Sequence, residues 1–375
     1  MINAERLINQ FMEMVEISSP SGEEDKFRDY LISYFETRGQ TCEEDQAGEM
    51  LEGASGNLLV RIAGTVDAQP LLFLTHMDTV FPAGDIKAVV GDDGMIRSAG
   101  ATILAADDKA GVAAILEAYE TMREKHLDYP ALELLFTVSE EQGLLGAKQF
   151  DYACLKSNIA YALDSGGSPG TIVVQSPCQN EIAYHVRGKA AHAGINPEDG
   201  VNAIHIMSKA LAIMPCGRLN ETTTCNFGVI RGGEARNIVA ESCSVKGEAR
   251  SLSRLELNQL TRDLTRIFTE EVEKNGGQPE VVVKFLYPEI SLDENEEVVI
   301  LAKKAALSLG LEVELISTGG GSDAAIVNGN GIRCANLGIG MSAVHTRREF
   351  ISVADLINDA ELVLAIIQQS IAGIK

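Results

Sequence analysis

Residues 71–78 read LLFLTHMD, an apolar run that ends in a histidine and an aspartate two positions apart. The run over residues 71–74 is typical of a buried strand. Side chains two apart on a strand point the same way, so His76 and Asp78 are predicted to face one pocket, at the carboxyl end where open α/β sheets bind ligands. A metal-bound imidazole usually has its second nitrogen held by a carboxylate, a role that suits Asp78. Read alone, the pair also fits a surface loop.

Three more apolar runs, residues 58–62, 132–138 and 159–163, alternate with helical patterns such as residues 109–122. Buried strands that alternate with helices predict an α/β fold, in which a mixed sheet is flanked by helices. The same alternation returns toward the end of the chain, where a long helix is predicted from Val353 onward.

Two helices are predicted near the amino terminus. Residues 3–15 carry apolar side chains at helical spacing, and a Ser-Pro-Ser-Gly break follows them. Ser21, with Glu24 three positions later, predicts a capping box at the start of the second helix.

The middle of the chain has a different order of elements. Strand patterns cover residues 181–186, 223–230, 238–248 and 281–285, and helical patterns cover residues 201–214 and 255–274. The resulting β-α-β-β-α-β order predicts a ferredoxin-like α+β domain. We therefore expect residues 177–289 to be inserted into a catalytic domain formed by residues 1–176 and 290–375.

The composition limits the classes of partner. Aspartate and glutamate number 54 against 31 lysines and arginines, which gives a net charge of −23. Such a surface repels phosphate backbones and anionic membranes, so neither nucleic acid nor membrane is expected as a partner, and the acidity otherwise serves solubility. None of the seven cysteines lies in a CxxC pair, and no signal peptide or membrane-spanning stretch is recognised. A cytoplasmic location is the expectation.

An acidic pair, Asp107 and Asp108, precedes the helical pattern of residues 109–122. An aspartate is a common N-cap, which accounts for one of the two, Asp108. It does not account for Asp107, which follows small and apolar residues. A carboxylate at that position could bridge two cations, with one oxygen on each.

Two adjacent glutamates, Glu140 and Glu141, follow the apolar run of residues 132–138. Neighbouring carboxylates repel each other, and burial makes both costly unless a cation neutralises them. One could bind a metal while the other takes a proton from the metal-bound water. The alternative is a solvated turn with two acids.

Asp164 follows a further apolar run, and His345 precedes the last helical pattern. Alone, such an aspartate is usually a turn former and such a histidine a satisfied core or surface group. Together with His76, Asp107 and Glu141 they make two imidazoles and three carboxylates. This set can form two zinc sites, each with one histidine, one terminal carboxylate and a shared bridging carboxylate.

Several motifs resemble those of a known family. In chain order they are HMDTV (residues 76–80), ADDKAG (106–111), SEEQGLLGA (139–147), LDSGG (163–167), KAAHAGINPEDGVNAI (189–204), GGGSDA (319–324) and VHT (344–346). The chain resembles the aminoacylase, carboxypeptidase and tripeptidase superfamily of two-zinc hydrolases. Within it the likeness is greatest to tripeptide aminopeptidases of the peptidase T type.

The resemblance implies a division of the ligands. His76 and Asp164 would bind one zinc ion, and Glu141 and His345 the other, with Asp107 bridging both.

It also implies roles for the residues beside the ligands. Glu140 would be the general base and Asp78 would orient His76. The peptide bond between Asp107 and Asp108 is expected to be cis.

By the same resemblance, the inserted domain is a lid and dimerisation domain. His192 would help to stabilise the tetrahedral oxyanion, sometimes from a neighbouring subunit. Asn237 and Arg250 would contact substrate, Arg250 through a bidentate pair with a terminal carboxylate. Gly320 and Ser322 lie in a glycine-rich loop whose backbone N–H groups could bind a carboxylate.

The function expected from these residues is hydrolysis of short peptides by a zinc metallopeptidase with two ions per subunit. Two alternatives stay open: a zinc-dependent deacylase of N-acyl amino acids, and a non-catalytic metal-binding scaffold. The presence of Glu140 speaks against the scaffold, because a site that only stores metal needs no base beside its ligands. A homodimer through the lid domain is the expected assembly.

Overall fold

The computed structural model describes residues 2–372, which divide into two compact units. The first unit holds the described residues up to Gln175 and from Ile290 onward, and the second is Ser176–Glu289.

The first unit begins with five helices and eight strands. The helices are α1 (Ala4–Glu16), α2 (Asp25–Glu36), α3 (Ala47–Leu51), α4 (Ala106–Lys125) and α5 (Leu145–Gln149). The strands are β1 (Cys42–Glu44), β2 (Leu58–Ile62), β3 (Leu71–His76), β4 (Ala88–Val90), β5 (Met95–Ser98), β6 (Leu132–Thr137), β7 (Ile159–Ser165) and β8 (Thr171–Ser176).

The second unit contains β9 (Cys178–Arg187), α6 (Ala203–Ile213), β10 (Gly217–Arg218), β11 (Thr223–Gly232), β12 (Ser242–Ser251), α7 (Arg254–Lys274) and β13 (Gln278–Tyr287). The first unit then resumes with β14 (Ile290–Ser291), α8 (Glu297–Ser308), β15 (Glu314–Ser317), α9 (Asp323–Gly329), β16 (Arg333–Gly338), β17 (Phe350–Ser352) and α10 (Val353–Ala372). Short 3-10 helices lie at Tyr152–Cys154 and Pro197–Asp199.

A nine-stranded mixed sheet forms the centre of the first unit among the described residues. Its order is β1-β2-β6-β3-β7-β16-β8-β14, with β15 paired to β8. Strands β6, β3, β7 and β16 run parallel to one another. Strand β2 is antiparallel to β6, and β8 is antiparallel to β16. Every residue of β3 and β6 is buried, which explains why apolar residues dominate both strands, with Glu133 of β6 as a buried exception. The predicted α/β class, with a mixed sheet flanked by helices, is confirmed.

Helix α4 lies unusually close to strand β7. A Cβ atom at Gly111 would come within 2.7 Å of the carbonyl oxygen of Leu163. Only glycine fits at that distance, because real Cβ atoms do not approach a carbonyl oxygen so closely. The contact brings the start of α4, which carries Asp107, next to the end of β7, which carries Asp164.

In the second unit, an antiparallel sheet of order β10-β11-β12-β9-β13 is covered by α6 and α7. The element order is the predicted β-α-β-β-α-β with the short β10 added. Strand β12 begins at Ser242 and not at residue 238 as predicted. The reason lies in the backbone bonds of the preceding segment, since Val239 donates to Ala191 and the carbonyl of Ala240 accepts from Ala203. These bonds take residues 238–241 away from the ladder.

None of the helices within residues 2–372 is long and apolar enough to cross a membrane.

A buried acid on helix α10, Asp359, allows the packing of this helix to be tested. Asp359 is 1% exposed, and neither of its carboxylate oxygens has a hydrogen-bond partner among the described residues. Burial, together with the nearby charge of Asp355, raises the pKa of Asp359 well above its ordinary value. The native state therefore favours the neutral acid, whereas the unfolded chain ionises above about pH 4. We predict that Asp359→Asn raises the melting temperature at pH 8 by about 2–4 °C, measured by calorimetry.

The gain should shrink as the pH is lowered to about 3, because below its unfolded-state pKa of about 4 the carboxyl is neutral in both states. Glu361→Gln, on a partly exposed position of the same helix, is the control and should change the melting temperature little at either pH. A gain of equal size at both pH values would contradict the assignment.

Candidate metal centre

Three neighbouring parallel strands end at one edge of the large sheet and carry the predicted ligands there. His76 is the last residue of β3, Asp164 lies near the end of β7, and Glu141 follows β6. Strand β3 pairs with β6 on one side and with β7 on the other, so the three ends are adjacent. Asp107 comes from the start of α4 and His345 from the loop before β17.

The Asp107 carboxylate lies between the two histidines. His76 Nε2 is 3.0 Å from Asp107 Oδ1, and His345 Nε2 is 3.2 Å from Asp107 Oδ2. Each histidine has a second acid nearby: Asp164 Oδ1 lies 4.0 Å from His76 Nε2, and Glu141 Oε1 lies 2.8 Å from His345 Nε2. The structure thus brings all five predicted ligands together, in two groups that share Asp107.

These separations fit divalent cations. Two ligands of one tetrahedral zinc, each roughly 2.0–2.1 Å from the metal, lie about 3.3 Å apart. Ligand atoms of His76, Asp107 and Glu141 all lie within 4.8 Å of one another. Mutually repelling carboxylates at such distances, on residues that are largely buried, need positive charge between them. The donor set, imidazole and carboxylate, is one that zinc accepts.

The acids around the two histidines favour positive charge on the imidazoles. Burial lowers the pKa of His76, but hydrogen bonds to Asp107 and Asp78 outweigh burial and raise that pKa well above its ordinary value. Burial alone would raise the pKa of Asp107, but hydrogen bonds from His345 and His76 outweigh burial and hold that pKa below its usual range. Hydrogen bonds to Asp107 and then Glu141 raise the pKa of His345 to about 10. Cations in these positions would replace the protons.

Two other acids of the centre behave differently. Burial, reinforced by the charge of Asp107, raises the pKa of Asp164 well above its usual range. Burial and the charge of Asp164 do the same for the pKa of Glu140. Both acids therefore favour the neutral form unless positive charge is brought to them.

Asp78 contacts two parts of the centre, the ring of His76 and the turn after β6. The ring of His76 donates from Nδ1 to the backbone carbonyl of Asp78 at 2.9 Å, and this leaves Nε2 facing the centre. The side chain of Asp78 accepts the backbone N–H groups of Glu140 at 2.9 Å and Glu141 at 3.2 Å, and the hydroxyl of Ser21 at 2.6 Å. Because Asp78 Oδ1 also lies 3.4 Å from His76 Nδ1, Asp78 contacts the ring through both its main chain and its carboxylate. The carboxylate also positions the two glutamates.

The predicted capping box at Ser21 and Glu24 is wrong. Helix α2 has no side-chain cap hydrogen bond. Because Ser21 is bound to Asp78, its hydroxyl does not serve the helix. Glu24 Oε1 accepts the backbone N–H groups of Gly22 at 2.9 Å and Ser139 at 3.1 Å. Both residues support the metal centre, a role that the pattern alone did not indicate.

Asn336 fixes the strand end that carries Asp164. Its side chain accepts the backbone N–H of Asp164 at 3.0 Å and donates to the Asp164 carbonyl at 2.9 Å and to Ser322 Oγ at 3.0 Å. Ser322 is consequently buried beneath the centre, while Gly320 is exposed. No signal in the sequence indicated this role, because strand β16 was not predicted.

Asp323, in the quoted GGGSDA motif, also lies beside the site. One of its oxygens accepts from Thr137 Oγ1 at 2.5 Å, and the other has no partner among the described residues. Burial raises the pKa of Asp323 to about 6.

The other predicted site residues belong to the second unit. His192 and Asn237 are exposed and adjacent, since the N–H of Ala193 donates to the carbonyl of Asn237 and His192 forms a bridge to Ile238. Arg250 lies on β12 in an ion pair with Glu248. The substrate contacts of these residues stay predictions. The peptide bond between Asp107 and Asp108, in the first unit, is cis as the resemblance implies.

Known proteins resemble the chain over its whole length. Aminopeptidase PepT from Bacillus cereus is 40% identical, with a TM-score of 0.93 and coverage of 99% of each chain. A tripeptidase from Staphylococcus aureus is 38% identical, with a TM-score of 0.96 and coverage of 100% of each chain. The Bacillus subtilis protein YqjE is 38% identical over 370 residues, which is 99% of this chain and 100% of that protein.

Residues 72–369 match the peptidase family M20/M25/M40, a stretch that includes both histidines and all the acids of the centre. The chain therefore belongs to peptidase family M20/M25/M40 and is a hydrolase of peptide bonds.

Proposed function

We propose that this peptidase removes the amino-terminal residue of short peptides, with tripeptides as its principal substrates. The observation that carries the proposal is the placement of Asp107, whose two carboxylate oxygens each face one histidine. A shared carboxylate of this kind suits a pair of cations, and paired cations serve in aminopeptidases. The full-length likeness to an aminopeptidase and a tripeptidase supports short peptides as the substrate class.

Zinc is the proposed cation, with two ions per subunit. His76 and Asp164 would hold one ion, His345 and Glu141 the other, and Asp107 both. Three protein ligands per ion leave a position open for substrate, as in catalytic rather than structural zinc sites. When bound, the ions supply Lewis acidity, which polarises the scissile carbonyl and brings the pKa of a shared water toward neutrality.

Glu140 is the proposed general base. Asp78 fixes its backbone, and its neighbour Glu141 is a proposed ligand, so its carboxylate is positioned beside the reacting water. Glu140 takes a proton from that water as the oxygen attacks the carbonyl carbon. It then gives the proton to the nitrogen of the leaving amine.

Residues of the second unit are proposed to complete the reaction and to bind the peptide. His192 donates a hydrogen bond to the carbonyl oxygen as negative charge develops there. Arg250 binds the terminal carboxylate of the peptide, and Asn237 contacts its backbone. In the first unit, the backbone N–H groups of Gly320 and Ser322 are further proposed contacts of the substrate.

The proposed location is the cytoplasm. All seven cysteines are free thiols, and four of them, Cys178, Cys225, Cys243 and Cys334, are buried. Free cysteines in this number are typical of a reducing compartment.

A homodimer through the second unit is the proposed assembly. Strand β13 lies at the edge of its sheet, and Val282, Val283 and Phe285 on it are exposed. An edge strand with apolar side chains and free backbone groups is suited to pair with another strand.

Removing the base tests the mechanism. We predict that Glu140→Gln lowers kcat for a tripeptide by about 10²–10⁴-fold, because amide nitrogen cannot accept the proton of the water. Zinc content, measured by elemental analysis, should stay at the wild-type value. Gln142→Ala, an exposed position in the same turn, is the matched control and should keep wild-type activity. Full activity of Glu140→Gln with zinc retained would refute the assignment.

A direct comparison of substrates tests the specificity. The wild-type enzyme should release the amino-terminal residue of trialanine and leave N-acetylalanine intact, as followed by chromatography. A chelator should abolish the reaction, and added zinc should restore it, because the ligands offer no catalytic group that replaces the cations. Hydrolysis of N-acetylalanine alone would establish the deacylase alternative instead.

Changing the edge strand tests the dimer. We expect Val283→Lys to convert a dimer into a monomer in sedimentation velocity, because a charge on the edge strand opposes pairing. Val89→Lys is the matched control, since Val89 is 45% exposed and Val283 is 44% exposed. A wild-type chain that sediments as a monomer, or a Val283→Lys variant that stays dimeric, would rule out this interface.

A further inference from the structure

Glu349 is a buried acid that the proposed mechanism does not use. Its side chain is 3% exposed, and it lies at the base of the loop that carries His345. The ends of this loop are joined by two backbone hydrogen bonds between Ser342 and Phe350, at 2.9 Å and 3.1 Å. The position of Glu349 relative to His345 is thereby fixed by the main chain.

Three backbone N–H groups of another loop point at the Glu349 carboxylate. Leu104 donates to Oε2 at 2.8 Å, Ala105 donates to Oε2 at 3.0 Å, and Asp107 donates to Oε1 at 3.1 Å. Convergent N–H groups of this kind form a site for an anion. Ala105 has a φ of +65°, a left-handed conformation that turns its N–H toward the carboxylate.

Asp107 is thus held at both ends by one loop. Glu349 binds its backbone N–H, while His345 lies 3.2 Å from its side-chain Oδ2. Both oxygens of Glu349 are needed, since they face three donors. A neutral amide in its place would present an NH₂ group to at least one N–H, where no hydrogen bond can form.

A second buried glutamate has the same kind of contacts away from the centre. Glu133 is 3% exposed and accepts the backbone N–H groups of Lys156 and Ser157 and the hydroxyl of Ser157. It therefore stabilises a loop without contact to a proposed ligand. A comparison of Glu349 with Glu133 separates an effect on the metal centre from a general effect on folding.

We propose that Glu349 is a positioning residue, which holds the backbone of Asp107 so that each oxygen of its carboxylate can serve one cation. This role rests on the proposed two-cation centre. Among the described residues, the close group of candidate ligand atoms comes from His76, Asp107 and Glu141 and does not include Glu349. Glu349 is therefore proposed to act through Asp107 and not on the metal.

The test measures zinc binding and not activity. Metal-free wild type, Glu349→Gln and Glu133→Gln are titrated with zinc in competition with a chromophoric chelator, and their metal-free melting temperatures are recorded. Glu349→Gln should bind zinc about 10–100-fold more weakly than wild type, which is the usual effect of losing a group that supports a ligand. Glu133→Gln should bind zinc with an affinity within about twofold of that of wild type, even if it lowers the melting temperature as much as Glu349→Gln does. Glu349→Asp, which keeps both oxygens on a shorter side chain, should recover part of the affinity and serves if Glu349→Gln does not fold.

The outcomes distinguish the two claims. A wild type that binds no zinc would refute the proposed centre itself. Wild-type binding with unchanged affinity in Glu349→Gln would refute the positioning role alone. Equal losses of affinity in Glu349→Gln and Glu133→Gln would also overturn that role, because the effect would then follow from reduced stability.

Discussion

The carboxylate of Asp107 lies between two imidazoles, and the fold has to bring positive charge to both of its oxygens. It is 8% exposed, and a buried ion is costly unless charge of opposite sign is brought to it. Two imidazoles that are far apart in the sequence can supply this charge, that of His76 on a central strand and that of His345 on the loop before β17. Parallel strands are well suited to the task, because their carboxyl ends meet at one edge of a sheet.

Acids outside the proposed ligand set hold the centre in place by accepting backbone N–H groups. Asp78 fixes the turn that carries the two adjacent glutamates, and Glu24 fixes Ser139 before them. Glu349 does the same for the loop of Asp107. Each carboxylate ties the main chain of a ligand-bearing loop to a residue directly before α2 or β17 or just after β3, which limits the movement of that loop. Buried acids in this protein therefore accept backbone N–H groups as well as forming the proposed cation sites.

The sequence was informative where burial demands a pattern. A strand that is largely buried is mostly apolar, so residues 58–62 were predicted with the bounds that the structure shows for β2. Strand β16 (Arg333–Gly338) was not predicted, because its short and partly polar sequence becomes a strand only through its neighbours in the sheet. The five proposed ligands stand at ends of recognisable elements and in recognisable motifs. Glu349 could not be found in this way, since it follows two arginines like any surface glutamate and its role depends on contacts some 240 residues away in the chain.

Anomalous diffraction at the zinc edge from crystals of the zinc-loaded enzyme would locate the proposed ions. We predict two peaks on either side of the Asp107 carboxylate, one in contact with His76 and Asp164 and the other with His345 and Glu141. A single peak, or peaks that do not share Asp107, would contradict it.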